Sequence, residues 1–355
     1  MTWPLWGRPE DPEQPRCSKC GAPVPTYASY CEACGTTLEP TQAPPQPEPD
    51  AAAEVGSSVT RRLGQRVSAV AHCPQCGGTI DSDGYCQSCG VKAPDPRDHV
   101  ELSAAGWVAG TSDLGMVHSR NEDALALWVD GDAPRAVLVV CDGVSTSTDA
   151  HIASLAAAEC ACELLTDAVR SDADLPTSFR EAVLRANDAI IAHTAPDMTN
   201  APSATFAAAV VDGDRLGFAT LGDSRVYWIG DDAQELLSTD DSMAQQFIAQ
   251  GMPRDAAEAM PQAHAITKWL GRDAVELEPD IGVHRLTASG WVLVCSDGLW
   301  NYASAPAVLA ALVRDQEAAD PAPEAIARGL VAWANQQGGH DNVTVALARH
   351  PATGR

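Results

Sequence analysis

The sequence has no run of residues that is long and apolar enough to span a membrane as a helix. At its start, MTWPLWGRPEDPEQPR has prolines and acidic residues where a secretory signal peptide requires an apolar run. We therefore expect a cytoplasmic protein without membrane partners. Since thiols stay reduced in the cytoplasm, we expect its twelve cysteines to bind metal rather than to form disulfides.

Basic residues are scarce in the larger, C-terminal part of the chain. The 355 residues carry a formal net charge of −25, and residues 104–355 contain a single lysine, Lys268. A surface of this sign repels nucleic acid and tolerates bound cations, so nucleic acid is not an expected partner. The length indicates two or three structural units.

Eight of the cysteines form four CxxC pairs, arranged as two matched sets. The first set is Cys17, Cys20, Cys31 and Cys34, and the second is Cys73, Cys76, Cys86 and Cys89. Zinc takes four thiolates in a tetrahedron, and its binding supplies roughly 10–16 kcal/mol to small folds that lack an apolar core. A redox role is less favoured, because no thioredoxin-like βαβ pattern surrounds the pairs. The sets predict two structural Zn²⁺ sites and together resemble a double zinc ribbon.

Changes in composition divide the chain into five predicted segments. They are zinc ribbons at 1–36 and 71–93, a Pro/Ala-rich linker at 37–70, a polar linker at 94–103, and a large domain at 104–350. Within the first linker, the short stretch from Val59 to Val70 has helical spacing.

Apolar strand-like runs alternate with alanine-rich helical runs in the large domain. The predicted strands are AVLVVC, ATFAAAVV, LGFATL, RVYWI, WVLVC and NVTVALA; the predicted helices are IASLAAAECACELLTDAV, SFREAVLRANDAIIAHT, MAQQFIAQG, APAVLAALVRDQ and PEAIARGLVAWANQQ. The short GDS turn between LGFATL and RVYWI suggests an antiparallel hairpin. The order predicts a mixed-sheet domain with helices packed outside, not a regular βαβ series.

Acidic residues fall where the predicted strands begin or end. Asp-Gly follows two apolar strands, at Asp142 and at Asp297, and further acids precede strands or occupy turns; these are Glu122, Asp123, Asp223 and Asp341. One such residue alone would more often be a turn or a helix cap, but several at strand ends can converge at one edge. Clustered carboxylates need cations between them, and Mg²⁺ or Mn²⁺ prefer such ligands. Two such ions can activate a water molecule and clamp a phosphoryl group.

Five segments in this order resemble the PPM-type (type 2C) serine/threonine protein phosphatases over roughly residues 104–350. They are SDLGMVHSRNEDALAL, VLVVCDG, TLGDSRVY, LVCSDGLWN and GGHDNVTV. The resemblance implies an α+β fold, a four-layer α-β-β-α sandwich of two antiparallel sheets, here preceded by two small zinc ribbons. It also implies hydrolysis of phosphoserine or phosphothreonine with two Mn²⁺ or Mg²⁺ ions, and with a third in bacterial members.

The resemblance also assigns roles to individual residues. Asp142 would bridge two ions, the carbonyl of Gly143 would bind one of them, Asp297 and Asp341 would hold the first, and Glu122 would act on the second. Asp123 would orient a water molecule, Asp223 would help to hold the third ion, and Asn342 would support the ligand that precedes it. The segment from about Thr239 to Trp269 falls where the family has a flap beside the site.

Two departures from the family pattern concern the substrate phosphate and the general acid. His118 stands where family members often carry an arginine that grips phosphate; Arg120, two residues later, would face the same side on a strand and could substitute. A protonated histidine could itself bind phosphate, or His118 is a surface residue. Family members often have a Gly-rich stretch here, followed by a histidine that acts as general acid. This chain instead has VSTSTDAHIAS, in which His151 either is the general acid or belongs to the next helix.

These observations favour a phosphatase that acts on phosphoproteins, the targets of a serine/threonine kinase, with ribbons that dock partners or regulate the site. The alternatives are a pseudophosphatase that binds phosphopeptides and a zinc-ribbon regulatory protein that binds nucleic acid. Deleting residues 1–103 is expected to spare activity on small phosphate esters. Neither Cys141 nor Cys295 has the Cys-x5-Arg loop of a cysteine phosphatase, so both are predicted to be packing residues, as are Cys160 and Cys162.

Overall fold

The computed structural model describes Lys19 and residues 59–62, 72–73, 75–81, 85–93 and 95–351, with the backbone alone for 59–62. The chain divides into two compact units, Met1–Glu54 and Val55–Arg355. The first predicted zinc site, with Cys17, Cys20, Cys31 and Cys34, lies outside the described residues. The second unit contains the second zinc ribbon and both large sheets.

The first large sheet has six antiparallel strands. In spatial order they are Val59–Arg62 (β1), Ala124–Val129 (β4), Arg135–Cys141 (β5), Phe206–Asp212 (β7), Arg215–Leu221 (β8) and Asp280–Arg285 (β12). Every side chain of β4 is buried, and so are those of β5 beyond Arg135. These apolar runs are covered on one face by helices and on the other by the second sheet.

The second large sheet is also antiparallel and has six strands. In spatial order they are Gln234–Leu236 (β10), Arg225–Gly230 (β9), Gly290–Cys295 (β13), Val343–His350 (β14), Val108–Asp113 (β3) and His99–Ala104 (β2). A small pair, Ser203–Ala204 (β6) and Leu270–Gly271 (β11), lies apart from both sheets. The two large sheets pack face to face through β14 on β5 and β3 on β4.

Helices cover the outer face of each sheet. The helices are Ala150–Arg170 (α1), Leu175–Ala192 (α2), Met243–Ala249 (α3), Arg254–Glu258 (α4), Asp297–Trp300 (α5), Pro306–Ala319 (α6) and Pro323–Gln337 (α7). α1 and α2 pack on the first sheet, whereas α6 and α7 pack on the second. The predicted four-layer α-β-β-α sandwich is confirmed, and all six predicted strands and five predicted helices are present.

Three features differ from the sequence predictions. LGFATL and RVYWI do not form a hairpin, because β8 pairs with β7 and β12 while β9 pairs with β10 and β13. Both runs are buried on two sides, so each lies inside a different sheet and the chain crosses between sheets after Leu221. The stretch with helical spacing begins as the strand β1, which pairs with β4, and the predicted linker 94–103 contributes β2. Among the described residues, no helix has both the length and the apolarity required to cross a bilayer.

Candidate metal centre

A cleft of about 370 Å³ lies where loops from both sheets meet. Its lining includes Asp142, Gly143, Asp223, Asp297 and Asp341, together with His264, Ala265 and Ile266. Asp142 follows β5 in the first sheet, whereas Asp297 and Asp341 flank β13 and β14 in the second. The cleft therefore unites five of the six predicted Mn/Mg ligands, and the segment predicted as a flap supplies part of its lining.

Each Asp-Gly pair packs tightly against another loop of the site. A Cβ atom on Gly143 would lie 2.6 Å from the carbonyl oxygen of Glu122. One on Gly298 would lie 1.9 Å from the carbonyl oxygen of Asn342. Only glycine permits these approaches, so the residue after each aspartate fixes how closely the acid-bearing loops converge.

Burial and mutual repulsion disfavour the ionised forms of these acids. The pKa values of Asp142 and Asp223 are raised well above the usual range by burial and by neighbouring carboxylates. Burial likewise raises the pKa of Asp123 to about 7 and that of Asp297 to about 6. Burial also raises the pKa of Glu122 at the rim. Such a cluster can be fully ionised only with cations beside it.

Three carboxylate oxygens in the described part of the chain are buried without a hydrogen-bond partner. Two of them, Asp123 Oδ1 and Asp297 Oδ1, belong to predicted site residues, and the third is Asp98 Oδ1. The companion oxygens of the two site residues are satisfied, since the Ser296 hydroxyl donates to Asp123 Oδ2 at 2.8 Å and the Asn301 amide donates to Asp297 Oδ2 at 3.0 Å. Leaving a buried anionic acceptor unpaired is costly, and hard divalent cations are the natural partners of such oxygens. The donor set therefore fits Mn²⁺ or Mg²⁺.

The loop that carries Glu122 is fixed by the side chain of Asn342. Its oxygen accepts the N–H of Glu122 at 2.8 Å, and its nitrogen donates to the carbonyls of Leu114 at 2.8 Å and Arg120 at 3.1 Å. Toward Asp341, Asn342 offers only its backbone N–H, at 2.8 Å. The predicted supporting role is thus divided: the backbone contacts Asp341, while the side chain holds the loop.

His118 and Arg120 contact different groups. Residues 114–123 form a loop, so the argument that places both side chains on one face of a strand does not apply. His118 Nε2 lies 3.3 Å from Asp341 Oδ1 at the cleft edge, whereas Arg120 Nη1 lies 3.2 Å from His151 Nδ1. His151 is in the first turn of α1, where burial and Arg120 lower its pKa.

A buried arginine that the sequence analysis missed ties the flap to the site. Arg225 directly follows the crossing segment that carries Asp223, and its Nη2 lies 2.6 Å from Asp240 Oδ2 and 3.1 Å from Glu258 Oε1 in the flap. Its guanidinium stacks 3.6 Å above the ring of Trp300, whose Nε1 donates to the carbonyl of Asp223 at 2.9 Å. In the sequence, Arg225 is only an arginine at the start of the apolar strand RVYWI, and nothing there indicates a contact with the flap.

Two basic residues that precede the large domain also reach the site loop and were not predicted. Arg97 donates from Nη2 to the carbonyl of Asp123 at 2.9 Å and from Nη1 to that of His151 at 2.8 Å. Lys92 Nζ donates to the carbonyl of Ser119 at 3.0 Å. The sequence around them, a polar turn, does not indicate such contacts.

The second cysteine set forms a compact cluster. Cys73, Cys76, Cys86 and Cys89 have sulfur atoms within 4.8 Å of one another, and the closest pairs are 3.4–3.6 Å apart. Four sulfurs bound tetrahedrally at about 2.3 Å from zinc would be about 3.8 Å apart, so the cluster needs little adjustment to bind it. Backbone N–H groups of Cys89 and Ser88 lower the pKa of Cys86 to about 6. Backbone N–H groups of Gly78 and Val91 act in the same direction on Cys76 and Cys89, but contacts with the neighbouring thiols raise the pKa of both, so four thiolates together require a cation.

Cys141, Cys162 and Cys295 are packing residues, as predicted, whereas Cys160 is half-buried. Cys141 and Cys295 are fully buried at the ends of β5 and β13, and burial raises the pKa of both thiols. Cys160 and Cys162 lie on α1, and Cys162 belongs to the core.

Comparison with known proteins gives the same picture. Residues 115–334 match the family model described as protein phosphatase 2C, and residues 17–90 match the double zinc ribbon model. The serine/threonine protein phosphatase PstP of Mycobacterium tuberculosis is 30% identical over 243 residues, which span 68% of this chain and 44% of that protein's length. Protein phosphatase PhpP of Streptococcus pneumoniae is 26% identical over 66% of this chain and 94% of its own.

A solved structure is also similar. The catalytic domain of PstP in complex with two manganese ions superposes with a TM-score of 0.52 at 28% identity, covering 71% of this chain and 98% of that one. The family model matches more than half of the 355 residues, and the fold agrees with it. The chain therefore belongs to the protein phosphatase 2C family.

Proposed function

We propose that this protein hydrolyses phosphoserine and phosphothreonine in other proteins with the help of Mn²⁺ or Mg²⁺. The observation that carries the proposal is the cleft lined by Asp142, Asp223, Asp297 and Asp341, in which a buried carboxylate oxygen of Asp297 lacks a hydrogen-bond partner. Membership of the protein phosphatase 2C family and a solved relative that binds two manganese ions support it.

Six residues are proposed to hold the ions. The ligands would be Asp142, Gly143 through its carbonyl, Asp297, Asp341, Glu122 and, for a third ion, Asp223. When bound, the ions supply Lewis-acid activation of water and neutralise charge on the phosphoryl group.

The chain's own groups orient the reactants. Asp123, fixed through Oδ2 by Ser296, has Oδ1 free to accept a hydrogen bond and then a proton from the attacking water. His118, at the cleft edge beside Asp341, is placed to contact a phosphate oxygen when protonated. Arg120, held beside His151, adds positive charge near the entrance. Water is the nucleophile, so no phosphoenzyme forms.

The proposed substrates are phosphoproteins made by a serine/threonine kinase, in the cytoplasm. We propose the predicted domain boundaries with one change, that β1 and β2 belong to the phosphatase domain because they pair with its sheets. Two structural Zn²⁺ ions would hold the ribbons, which would dock substrates or partners.

Deletion of 1–103 is unsuited to test docking, because it removes β1, β2 and Arg97. Serine substitution of Cys17 and Cys31 disrupts the first ribbon alone; it should spare p-nitrophenyl phosphate hydrolysis and weaken action on the phosphoprotein, and an equal loss on both would refute docking.

Hydrolysis of p-nitrophenyl phosphate with Mn²⁺, Mg²⁺ or EDTA tests the proposed reaction. Activity should require the divalent ion and vanish in Asp142→Asn and Asp297→Asn, while Asp197→Asn, an exposed acid outside the cleft, should match the wild type. A folded wild-type protein that is inactive with every ion would instead support a phosphopeptide-binding pseudophosphatase. That alternative rests on His118 in place of the family arginine, and it predicts phosphopeptide binding without turnover.

A further inference from the structure

The loop of residues 119–123, which carries both Glu122 and Asp123, is held at four of its backbone carbonyls. Asn342 donates to the carbonyl of Arg120, and the Ser154 hydroxyl donates to that of Glu122. These two donors lie within the phosphatase domain. The carbonyls at the two ends of the loop are bound from elsewhere.

Those two end carbonyls are bound by residues that precede the phosphatase domain. Lys92 binds the carbonyl of Ser119 at 3.0 Å, and Arg97 binds that of Asp123 at 2.9 Å. Lys92 belongs to the second zinc ribbon, since its backbone pairs with Tyr85. The ribbon and the segment after it therefore hold the site loop at both ends.

Arg97 is itself rigidly placed. Its backbone N–H donates to Asp95 Oδ1 at 2.9 Å, and its carbonyl accepts the amide of Asn121 at 2.9 Å. The N–H of Leu114 donates to the carbonyl of Asp98 at 2.7 Å. Arg97 thus lies in a turn that is bonded to both ends of residues 114–121, which limits where its guanidinium can lie.

The buried Asn121 links this turn to the acids. Its amide donates both to the carbonyl of Arg97 and to Ser112 Oγ, each at 2.9 Å, and its oxygen accepts the N–H of Asp123 at 3.2 Å. Arg97 therefore bonds the carbonyl of Asp123 directly and its N–H through Asn121. The position of the Asp123 carboxylate depends on where this turn lies.

We infer that Arg97 and Lys92 are positioning residues for the proposed metal centre, and that the second zinc ribbon acts on the catalytic site through Lys92. Neither side chain contacts the cleft; each sets the place of the loop that presents Glu122 and Asp123. The expected change in rate rests on the proposed function, whereas the expected change in Mn²⁺ affinity does not. A misplacement of about 1 Å far from the reacting atoms can cost as much as a hundredfold in rate.

The test uses the full chain with Arg97→Met, Arg97→Lys and Lys92→Met, and Arg285→Met as matched control. Arg285 is an exposed arginine on β12, paired with Asp214 at 2.8 Å. Each variant is titrated with Mn²⁺ by calorimetry, assayed with p-nitrophenyl phosphate at saturating Mn²⁺, and unfolded in urea. Arg97→Met should weaken Mn²⁺ binding and lower kcat by roughly tenfold each with KM unchanged, because two carbonyls lose their donor. Arg97→Lys should restore part of both, and the control should change neither.

Lys92→Met keeps the test decisive if Arg97→Met does not fold, because Lys92 is exposed. It should weaken Mn²⁺ binding by about two- to threefold, as expected for a solvent-exposed hydrogen bond. Cys89→Ser should have the same effect, and adding Lys92→Met to it should cost nothing more. Folded Arg97→Met and Lys92→Met proteins that bind Mn²⁺ like the control, or that lose only stability, would overturn the inference. Wild-type protein that binds Mn²⁺ without hydrolysis would refute the proposed function and leave the titrations valid.

Discussion

The substitution Asp123→Asn should stabilise the metal-free protein, and more so at high pH. The pKa of Asp123 is raised to about 7 by burial, against about 3.9 in an unfolded chain. A group with a raised folded pKa favours the folded state below its unfolded pKa, and that advantage is lost as pH rises through the folded pKa. Ionised Asp123 is therefore a penalty in the folded, metal-free state at neutral and alkaline pH.

The size of the penalty follows from proton linkage. A pKa shift of this size lowers the free energy of unfolding of the metal-free protein by about 4 kcal/mol at pH 8 and about 2 kcal/mol at pH 5. Asparagine has nearly the same shape, carries no charge, and retains an oxygen that can accept from Ser296. The gain in free energy of unfolding should thus be about 2–3 kcal/mol larger at pH 8 than at pH 5.

Urea unfolding in EDTA at pH 5 and pH 8 measures this difference, with Asp197→Asn as control. Repeating it with saturating Mn²⁺ should reverse the order, because ions bound to the wild-type carboxylates stabilise the folded state through linkage. The contrary results for Asp123→Asn are an equal change in the free energy of unfolding at both pH values in EDTA, or a decrease at pH 8. Either result would show that burial does not raise the pKa of Asp123 in the folded protein.

Three further predictions concern other parts of the molecule. Burial opposes protonation of His99, but hydrogen bonds to Asp113 and Glu101 raise its pKa, so His99→Gln should destabilise the protein at pH 6 and much less at pH 9, by urea unfolding. Arg225→Met should cost about 3–5 kcal/mol, because it leaves Asp240 buried and unpaired. Cys89→Ser should lower the zinc content of purified protein by one ion per chain, measured by mass spectrometry.

The controls and contrary outcomes differ for each. A pH-independent effect of His99→Gln would show that the imidazole is uncharged in its pair. For Arg225, the exposed Arg285 is the matched control, and a cost below about 1 kcal/mol would mean that the ion pair is solvated. Unchanged zinc content in Cys89→Ser would contradict a four-sulfur site in the second ribbon.

Much of the fold could be predicted from the sequence because its strands are continuous apolar runs and its helices are long and alanine-rich. The error at β8 and β9 has a physical cause. A three-residue turn fits a hairpin locally, but both flanking runs are apolar on two faces, and only the packing of two sheets decides where they lie. The convergence of Asp142 and Asp297 on one cleft was predictable because both residues follow buried strands and precede glycine.

The supporting contacts could not be predicted in the same way. Arg97 and Lys92 bind backbone carbonyls of residues about 26 positions away. Every residue has a backbone carbonyl, so the residue types in a sequence do not indicate which carbonyl is bound. Arg225 pairs with Asp240 only because the flap folds back on the crossing segment. Sequence patterns indicate which residues are chemically suited to a site, whereas the groups that hold them in place follow from the tertiary structure.

The strand β1 has a consequence for solubility. It occupies the outer side of β4, whose side chains are all buried, and so pairs backbone groups that would otherwise form an open edge. A protein trimmed to residues 104–350 would lack β1 and would expose the edge of this apolar strand to solvent. Open edges of this kind recruit strands from other molecules. We therefore expect β1 to protect this sheet from self-association.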